Sequence, residues 1–199
     1  MRVRRAVDIV VSGALLVLAA PLLAVAMAAI RLESPGAAIY RQRRAGLHGE
    51  EFDVLKLRTM VQGAEHKGAG LAVDARDPRI TRVGALLRRS SLDELPNLVN
   101  VLRGDMSLIG PRPTLPAQVA QYTPRQRGRL AIRPGITGWA QVNGRAALPW
   151  EQRIELDLFY IEHRSLALDL RILWRTVGMV LGGSGLYKGA HGGWKGGEL

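Results

Sequence analysis

The sequence predicts an α+β fold, mainly helical with a small β-hairpin. It is carried on an N-terminal helix-break-helix segment that enters a membrane and leaves by the same face, a monotopic, re-entrant arrangement. Three observations predict this. An uncharged run over residues 9–30 has a proline near its middle and arginines on both flanks. Two alternating segments, "AIYRQRRAG" and "EFDVLKLRTM", are joined by a turn around "GLHGE". Most of the other patterned segments have helical rather than alternating spacing.

The apolar run comes first. As a helix at 1.5 Å per residue it would extend roughly 33 Å, enough to cross a bilayer. "RVRR" ahead of it and Ala24-Val25-Ala26 within it have the layout of a signal peptide, but the run is long for one, and Asp8 and Pro21 are awkward there. A spanning anchor should carry its basic residues mainly on the cytoplasmic side. Here Arg2, Arg4 and Arg5 precede the run, and Arg31, Arg41, Arg43 and Arg44 follow it. Pro21 removes a backbone hydrogen bond and bends a helix. Each arm is then about 18 Å or less, close to the depth of one leaflet. A helix broken at Pro21 that returns to its own side satisfies both sets of arginines.

After the hairpin, residues 62–78 are rich in Gly and Asp and read as a loop. "ITRVGALLRRS" and "ELPNLVNVLRG" read as short amphipathic helices. Between Pro111 and Pro149 proline and glycine are frequent, so irregular structure and short turns should dominate. "DLRILWRTVGMVL" puts Leu170, Leu173, Trp174, Val177 and Leu181 on one helical face. That face is either core, the commoner case, or an interfacial membrane contact. The expected organisation is a membrane helix over 1–31, a cytoplasmic catalytic domain over 32–181 and a glycine-rich tail over 182–199.

The composition limits the chemistry. The chain has 199 residues, 47% of them hydrophobic, which suits one domain with a core. It has no cysteine, which excludes disulfides, thiolate metal sites and a cysteine nucleophile. A formal charge of +11 points to anionic partners: nucleic acid, phosphorylated small molecules or an acidic membrane surface. Only Lys56, Lys67, Lys188 and Lys195 are lysines; the other basic residues are arginines, six of them between Arg112 and Trp150, where no acid occurs. Guanidinium groups bind phosphate in a bidentate fork, although a solvated basic face would leave the same pattern.

Two adjacent acids, Asp93 and Glu94, stand out in "RRSSLDELPNLVNVLRGDMSLIGPRP". Ser91 followed three residues later by Glu94 has the capping-box pattern, and Pro96 fits the first turn of a helix starting near Asp93. The bland reading is helix-start chemistry. The same place would also favour an ionised Asp93 and an incoming phosphate. Consecutive helical residues point about 100° apart, so the two acids should not share one role.

The segments "SLDELPN", "GDMSLIGPRP" and "RPGITGWAQVNGR", in this order and spacing, resemble the bacterial sugar transferase family, the monotopic phosphoglycosyl transferases. The resemblance runs from the Pro-containing apolar segment through "KLRTM" to "ELDLFYIEHRSLALDLRIL", about residues 4–177, and the length suggests the minimal PglC-like members. It implies transfer of sugar-1-phosphate from a UDP-sugar to undecaprenyl phosphate with release of UMP, the first membrane step of bacterial glycoconjugate assembly. Asp93 would be the nucleophile that becomes a phosphosugar-aspartate, Glu94 its partner in catalysis and in binding Mg²⁺. The family's re-entrant helix and a place on the cytoplasmic face of the inner membrane are implied as well. Candidates for the phosphate clamp are Lys56, Arg58, Arg112, Arg133 and Arg145, with Asp157 a second-tier polar candidate. The sequence departs from the family in one respect: the helix break is often Ser-Pro, whereas Ala20 precedes Pro21 here.

The competing function class is a membrane-anchored nucleic-acid-binding protein, suggested by charge alone. Only Phe52 and Phe159 are phenylalanines, and no recognition helix or stacking platform is apparent, so the expected partners are the UDP-sugar, undecaprenyl phosphate and membrane lipids, with no nucleic acid. A secreted basic binding protein, cleaved near Ala26, is a third class.

Overall fold

The computed structural model describes residues 2–66, 77–144 and 147–182. It is a mainly helical α+β structure with one long apolar helix and two small sheets. Helix α1 (Arg2–Glu33) has 32 residues and is continuous across Pro21, so the expected break into two helices does not appear. It is long and apolar enough to cross a membrane. Much of its apolar surface faces outward, including Val10, Val17, Leu18 and Val25.

Both ends of α1 are nevertheless held by the rest of the protein. At the start, Arg5 donates to the carbonyls of Val101 and Leu102. Asp8, buried, accepts from Ser107 Oγ at 2.7 Å and from the Leu108 amide at 3.1 Å. At the far end Ala26 and Ile30 enter a core with Ala38, Leu57 and Leu87. Glu33 then accepts from the amides of Arg82 and Val83, supplying acceptors for the otherwise unpaired first turn of helix α2 (Arg82–Arg89).

The hairpin forms as the alternation predicts: strand β1 (Ile39–Ala45) pairs antiparallel with β2 (Glu51–Leu57), Tyr40 opposite Lys56. Helix α3 (Asn97–Arg103) packs on it and ends at Gly104, whose φ of 95° is left-handed and suits glycine. Buried Asn100 fixes α3 to β2. Its carboxamide accepts from the Leu55 amide at 3.1 Å and donates to the Asp53 carbonyl at 2.8 Å, in the manner of a neighbouring strand.

The second sheet was not anticipated. Strands β3 (Ser107–Ile109) and β4 (Gly135–Thr137) are parallel, three residues each, too short for alternation to announce them. They carry "SLIGPRP" and "RPGITG", and their glycines explain the spacing of those motifs. A Cβ on Gly135 would lie 2.1 Å from the Gly110 nitrogen, so the two segments can cross only without one. Val54, Val101 and Met106 form the core beneath this crossing.

Short helices α4 (Pro116–Ala120), α5 (Pro124–Arg127) and α6 (Trp139–Val142) fill the Pro- and Gly-rich stretch. Helices α7 (Trp150–Glu162) and α8 (Leu166–Gly182) follow. Tyr122, Ile154 and Leu158 form a third core cluster. Of the two alternatives for the apolar face of α8, core is not what forms: Leu170, Leu173, Trp174 and Val177 face outward, Trp174 being 80% exposed. The packed side is Asp169, Ile172 and Thr176, where Asp169 accepts from the Tyr160 hydroxyl and Thr176 meets Thr137. Leu181, the last residue of that predicted apolar face, and the tail after Gly182 lie outside the described side chains and residues.

Candidate active site

Asp93 and Glu94 do not start an α-helix. They lie in a 3₁₀ turn (Leu92–Glu94) between α2 and α3. The capping box does not form. Ser91 is in the left-handed region at φ 56°, and its side chain caps nothing. A non-glycine residue held there stores backbone strain, which recurs at functional sites. The turn frees the Glu94 side chain for another task. Its Oε1 accepts from Lys56 Nζ at 2.9 Å and from Arg112 Nη2 at 2.8 Å. Lys56 comes from β2, beside the strand position that Asn100 locks, and Arg112 follows β3. Three segments far apart in sequence thus meet on one carboxylate.

The two acids have opposite electrostatics. Burial works against Glu94, but Arg112 and Lys56 outweigh it and hold its carboxyl below the ordinary range. Asp93 is pushed up from 3.8 to about 6, first by burial and then by the charge of Glu94; Lys56, Arg88 and Arg112 pull the other way. At neutral pH Glu94 is a fixed, compensated anion. Asp93 is ionised, and no described side chain hydrogen-bonds to it. An ionised carboxylate without a partner, placed among cations, is equipped to attack an electrophile that arrives with its own negative charge.

Beside the pair is a cleft of about 290 Å³, counting the part open to solvent. Arg44, Lys56, Glu94 and Arg112 line it, with Val54, Asn97, Met106 and Ile136 among the other walls. Arg112 is held from behind by a buried chain of bonds. Arg129 Nη2 donates to the Arg112 carbonyl at 3.0 Å, its Nη1 to the Tyr122 hydroxyl at 2.7 Å, and its Nε to Asp157 Oδ2 at 2.7 Å. Asp157, the second-tier candidate, therefore sits two links behind Arg112 and pairs with an arginine the sequence reading had not singled out.

The other candidates are placed differently. Arg58 is buried, and its guanidinium donates to the carbonyls of Ser34 and Pro35, just after α1. Arg133 donates to the Gly104 carbonyl at 2.6 Å, at the end of α3. Neither is hydrogen-bonded to Glu94, whose partners are Lys56 and Arg112. Arg145 lies outside the described residues. Arg44 and Arg88, which do act on the site, went unnoticed: "RQRR" and "LRRS" offer several arginines each, and only the fold selects one.

A fit to Mg²⁺ can be judged from the donors. Mg²⁺ takes one or two carboxylates together with substrate phosphates rather than a closed protein cage. Among the described residues no group of three or more His, Cys, Asp or Glu could hold a metal alone. Asp93 and Glu94 are a carboxylate pair of the open kind, and both bonds to Glu94 fall on Oε1. The donor set fits an ion shared with a diphosphate.

Known proteins resemble this chain along nearly its whole length. The family model described as bacterial sugar transferase matches residues 1–183. An uncharacterized sugar transferase, EpsL, of Bacillus subtilis (strain 168) is 41% identical over 96% of this chain and 93% of its own length. The UDP-glucose:undecaprenyl-phosphate glucose-1-phosphate transferase of Caulobacter vibrioides is 48% identical over 89% of this chain and 69% of its own. The UDP-N-acetylgalactosamine-undecaprenyl-phosphate N-acetylgalactosaminephosphotransferase of Aeromonas hydrophila is 42% identical over 92% of this chain, which spans only 44% of that protein. The match takes in the long apolar helix, the acidic pair and the crossing of "GPRP" with "RPGITG": the chain belongs to the bacterial sugar transferase family.

Proposed function

We propose that this protein transfers sugar-1-phosphate from a UDP-sugar to undecaprenyl phosphate, releasing UMP, through a covalent phosphosugar-aspartate on Asp93. The observation that carries the proposal is the acidic pair itself: one carboxylate compensated by Lys56 and Arg112, the other ionised and without a partner, beside a cation-lined cleft. In the first step Asp93 attacks the sugar-linked phosphorus; its oxygen–phosphorus bond forms as the diphosphate bridge breaks, and the electron pair leaves on UMP. In the second, an oxygen of the lipid phosphate attacks the same phosphorus and the carboxylate is released. Neither step needs a proton from the protein. Lys56 and Arg112 hold the phosphates, and Glu94 orients both cations. Asp93 and Glu94 would hold Mg²⁺, which when bound supplies further neutralisation of the diphosphate. The relatives' names differ in the sugar, glucose in one and N-acetylgalactosamine in another, and no described residue of the cleft selects between them.

The membrane reading belongs to the same proposal: α1 enters the cytoplasmic leaflet and returns. Its support is that Arg5 and Asp8 at one end and Ile30 and Glu33 at the other are bound to one domain. Contacts from both ends to one domain support keeping the two ends on one side, with the bend at Pro21 forming in the bilayer. The exposed apolar face of α8, with Arg171 and Arg175 beside it, suits the interface of the same leaflet.

The test is labelling. A UDP-sugar with radioactive phosphate next to the sugar, with Mg²⁺ and no lipid, should label the protein, and undecaprenyl phosphate should discharge the label into lipid. Turnover with sequential kinetics and no labelled protein would exclude the covalent route; no UMP from any of a panel of UDP-sugars would exclude the transferase reading. For topology, single cysteines at exposed Val3 and Ala37 should react from one side only; reaction from opposite sides of the membrane would exclude re-entry.

A further inference from the structure

Two buried asparagines stand one turn apart on α3, and only one of them is satisfied. Asn100 uses both ends of its carboxamide, accepting from the Leu55 amide and donating to the Asp53 carbonyl and to Asp105 Oδ2. Asn97 is 3% exposed, and its buried Oδ1 has no hydrogen-bond partner among the described residues. A polar atom left in that state costs stability. The amides that an asparagine at a helix start could take are already used: Leu98 donates to the Leu95 carbonyl and Val99 to that of Pro96.

The backbone sets this carboxamide at the cleft. Between Ser91 and Val99 the chain is wound by bonds that span three residues: Glu94 to Ser91, Leu95 to Leu92, Leu98 to Leu95 and Val99 to Pro96. In such a turn residues three apart lie one above the other, so Asn97 stands over Glu94. Both line the same cleft. Its other described polar side chains, Arg44, Lys56 and Arg112, are all cations, and the remaining side-chain walls are apolar. Among the described residues of the cleft, Asn97 is therefore the one neutral hydrogen-bonding side chain.

The chemistry of the missing partner is constrained. Oδ1 accepts and cannot donate. The oxygens of an ionised diphosphate are acceptors too, so they cannot fill the place. In a nucleotide sugar the donor nearest the attacked phosphorus is the substituent on C2 of the sugar, joined to that phosphorus through O1 and C1. It is a hydroxyl in glucose and an amide N–H in N-acetylgalactosamine, the sugars in the names of two relatives. Both donate.

We propose that Asn97 Oδ1 accepts a hydrogen bond from the C2 substituent of the transferred sugar, hydroxyl or amide alike. The inference rests on the transfer reaction proposed above and adds the residue that orients the sugar beside Asp93. It demands a donor at C2 without choosing between the two kinds. UMP, which lacks the transferred sugar, does not use the contact.

The test pairs a variant with a substrate that lacks the same bond. Full-length wild type and Asn97→Leu, in detergent with Mg²⁺ and undecaprenyl phosphate, are compared on whichever of UDP-glucose and UDP-N-acetylgalactosamine releases UMP, and on its 2-deoxy analogue. The wild type should prefer the parent sugar in kcat/KM by on the order of five- to tenfold, as one hydrogen bond allows. Asn97→Leu should lose that preference and bind UMP as the wild type does. Its melting temperature should not fall, since the resting protein loses no bond; a fall would show Oδ1 already partnered and overturn the proposal. A wild type indifferent to the 2-deoxy change would overturn it without any variant. An equal loss on both substrates in Asn97→Leu would overturn it as well, giving Oδ1 to another donor such as a metal-bound water. If UMP is released and the preference survives the substitution, the sugar contact fails and the transfer reading stands. If no UDP-sugar releases UMP, yet Asn97→Leu weakens binding of UDP-glucose or UDP-N-acetylgalactosamine and not of the 2-deoxy analogue, the transfer reading fails and the contact stands.

Discussion

Replacing Asp93 by Asn should abolish turnover and at the same time stabilise the fold at neutral pH. In an unfolded chain this carboxyl titrates near its ordinary 3.8; in the folded protein burial and Glu94 move it to about 6. Between those values the folded state binds more protons than the unfolded state, so this group's contribution falls as pH rises through the interval. Below 3.8 both states are protonated and the group costs nothing. Above 6 the full cost of an ionised, unpartnered Asp93 is present, and a displacement from 3.8 to about 6 corresponds to roughly 3 kcal/mol. That figure is a ceiling, because Asp93 keeps some contact with water and titrates together with Glu94. For a domain of this size 1 kcal/mol moves the midpoint by about 2–4 °C, so a gain of several degrees is expected at pH 7.5. The measurement is thermal unfolding in detergent with a chelator present, wild type against Asp93→Asn, from pH 4 to 8. The gap should be widest above pH 6 and close toward pH 4. A variant no more stable at pH 7.5, or a gap independent of pH, would show that Asp93 is not held at an electrostatic cost, and the argument for its reactivity would lose its basis.

Two further outcomes follow from the packing. Arg129 and Asp157 are 4% and 1% exposed, so Asp157→Ala strands a buried guanidinium and should cost about 3–5 kcal/mol in unfolding measurements, most of it recovered when Arg129→Met is added. Trp174→Glu should leave the melting temperature unchanged and reduce flotation with vesicles severalfold, and the loss should persist with neutral vesicles, where charge repulsion is absent.

How much of this was legible in the sequence depended on the range of the interaction. The hairpin and the helices around α2 and α3 were visible because alternation and amphipathic spacing are local. Lys56 and Arg112 could be named from their motifs, but not the carboxylate on which they meet, since residues 56, 94 and 112 converge only through Asn100 and the crossing of β3 with β4. The capping-box alternative for Glu94 fails for the same reason: Ser-x-x-Glu is a local pattern, and tertiary contacts with Lys56 and Arg112 overrode it. Arg58 and Arg133 were named on residue type alone, and only the fold shows that Arg58 Nη1 and Nη2 and Arg133 Nε donate to carbonyls at the ends of α1 and α3. The apolar stripe of α8 shows the limit of periodicity, which identifies a face and not what the face meets.

The membrane helix is more than a tether. Arg5 donates to the last carbonyls of α3, whose other end follows Asp93 and Glu94, and Asp8 binds the first two residues of β3, which leads within four residues to Arg112. The two halves of the Glu94–Arg112 contact are thus both anchored to the first three turns of α1. Asp8 and Ser107 are both buried, so their hydrogen bond ties the start of that helix firmly to β3. An enzyme whose acceptor is confined to a bilayer and whose donor is free in solution has reason for such a link. On the proposed function, the element in contact with the lipid would also bear on the separation of the groups proposed to bind phosphate.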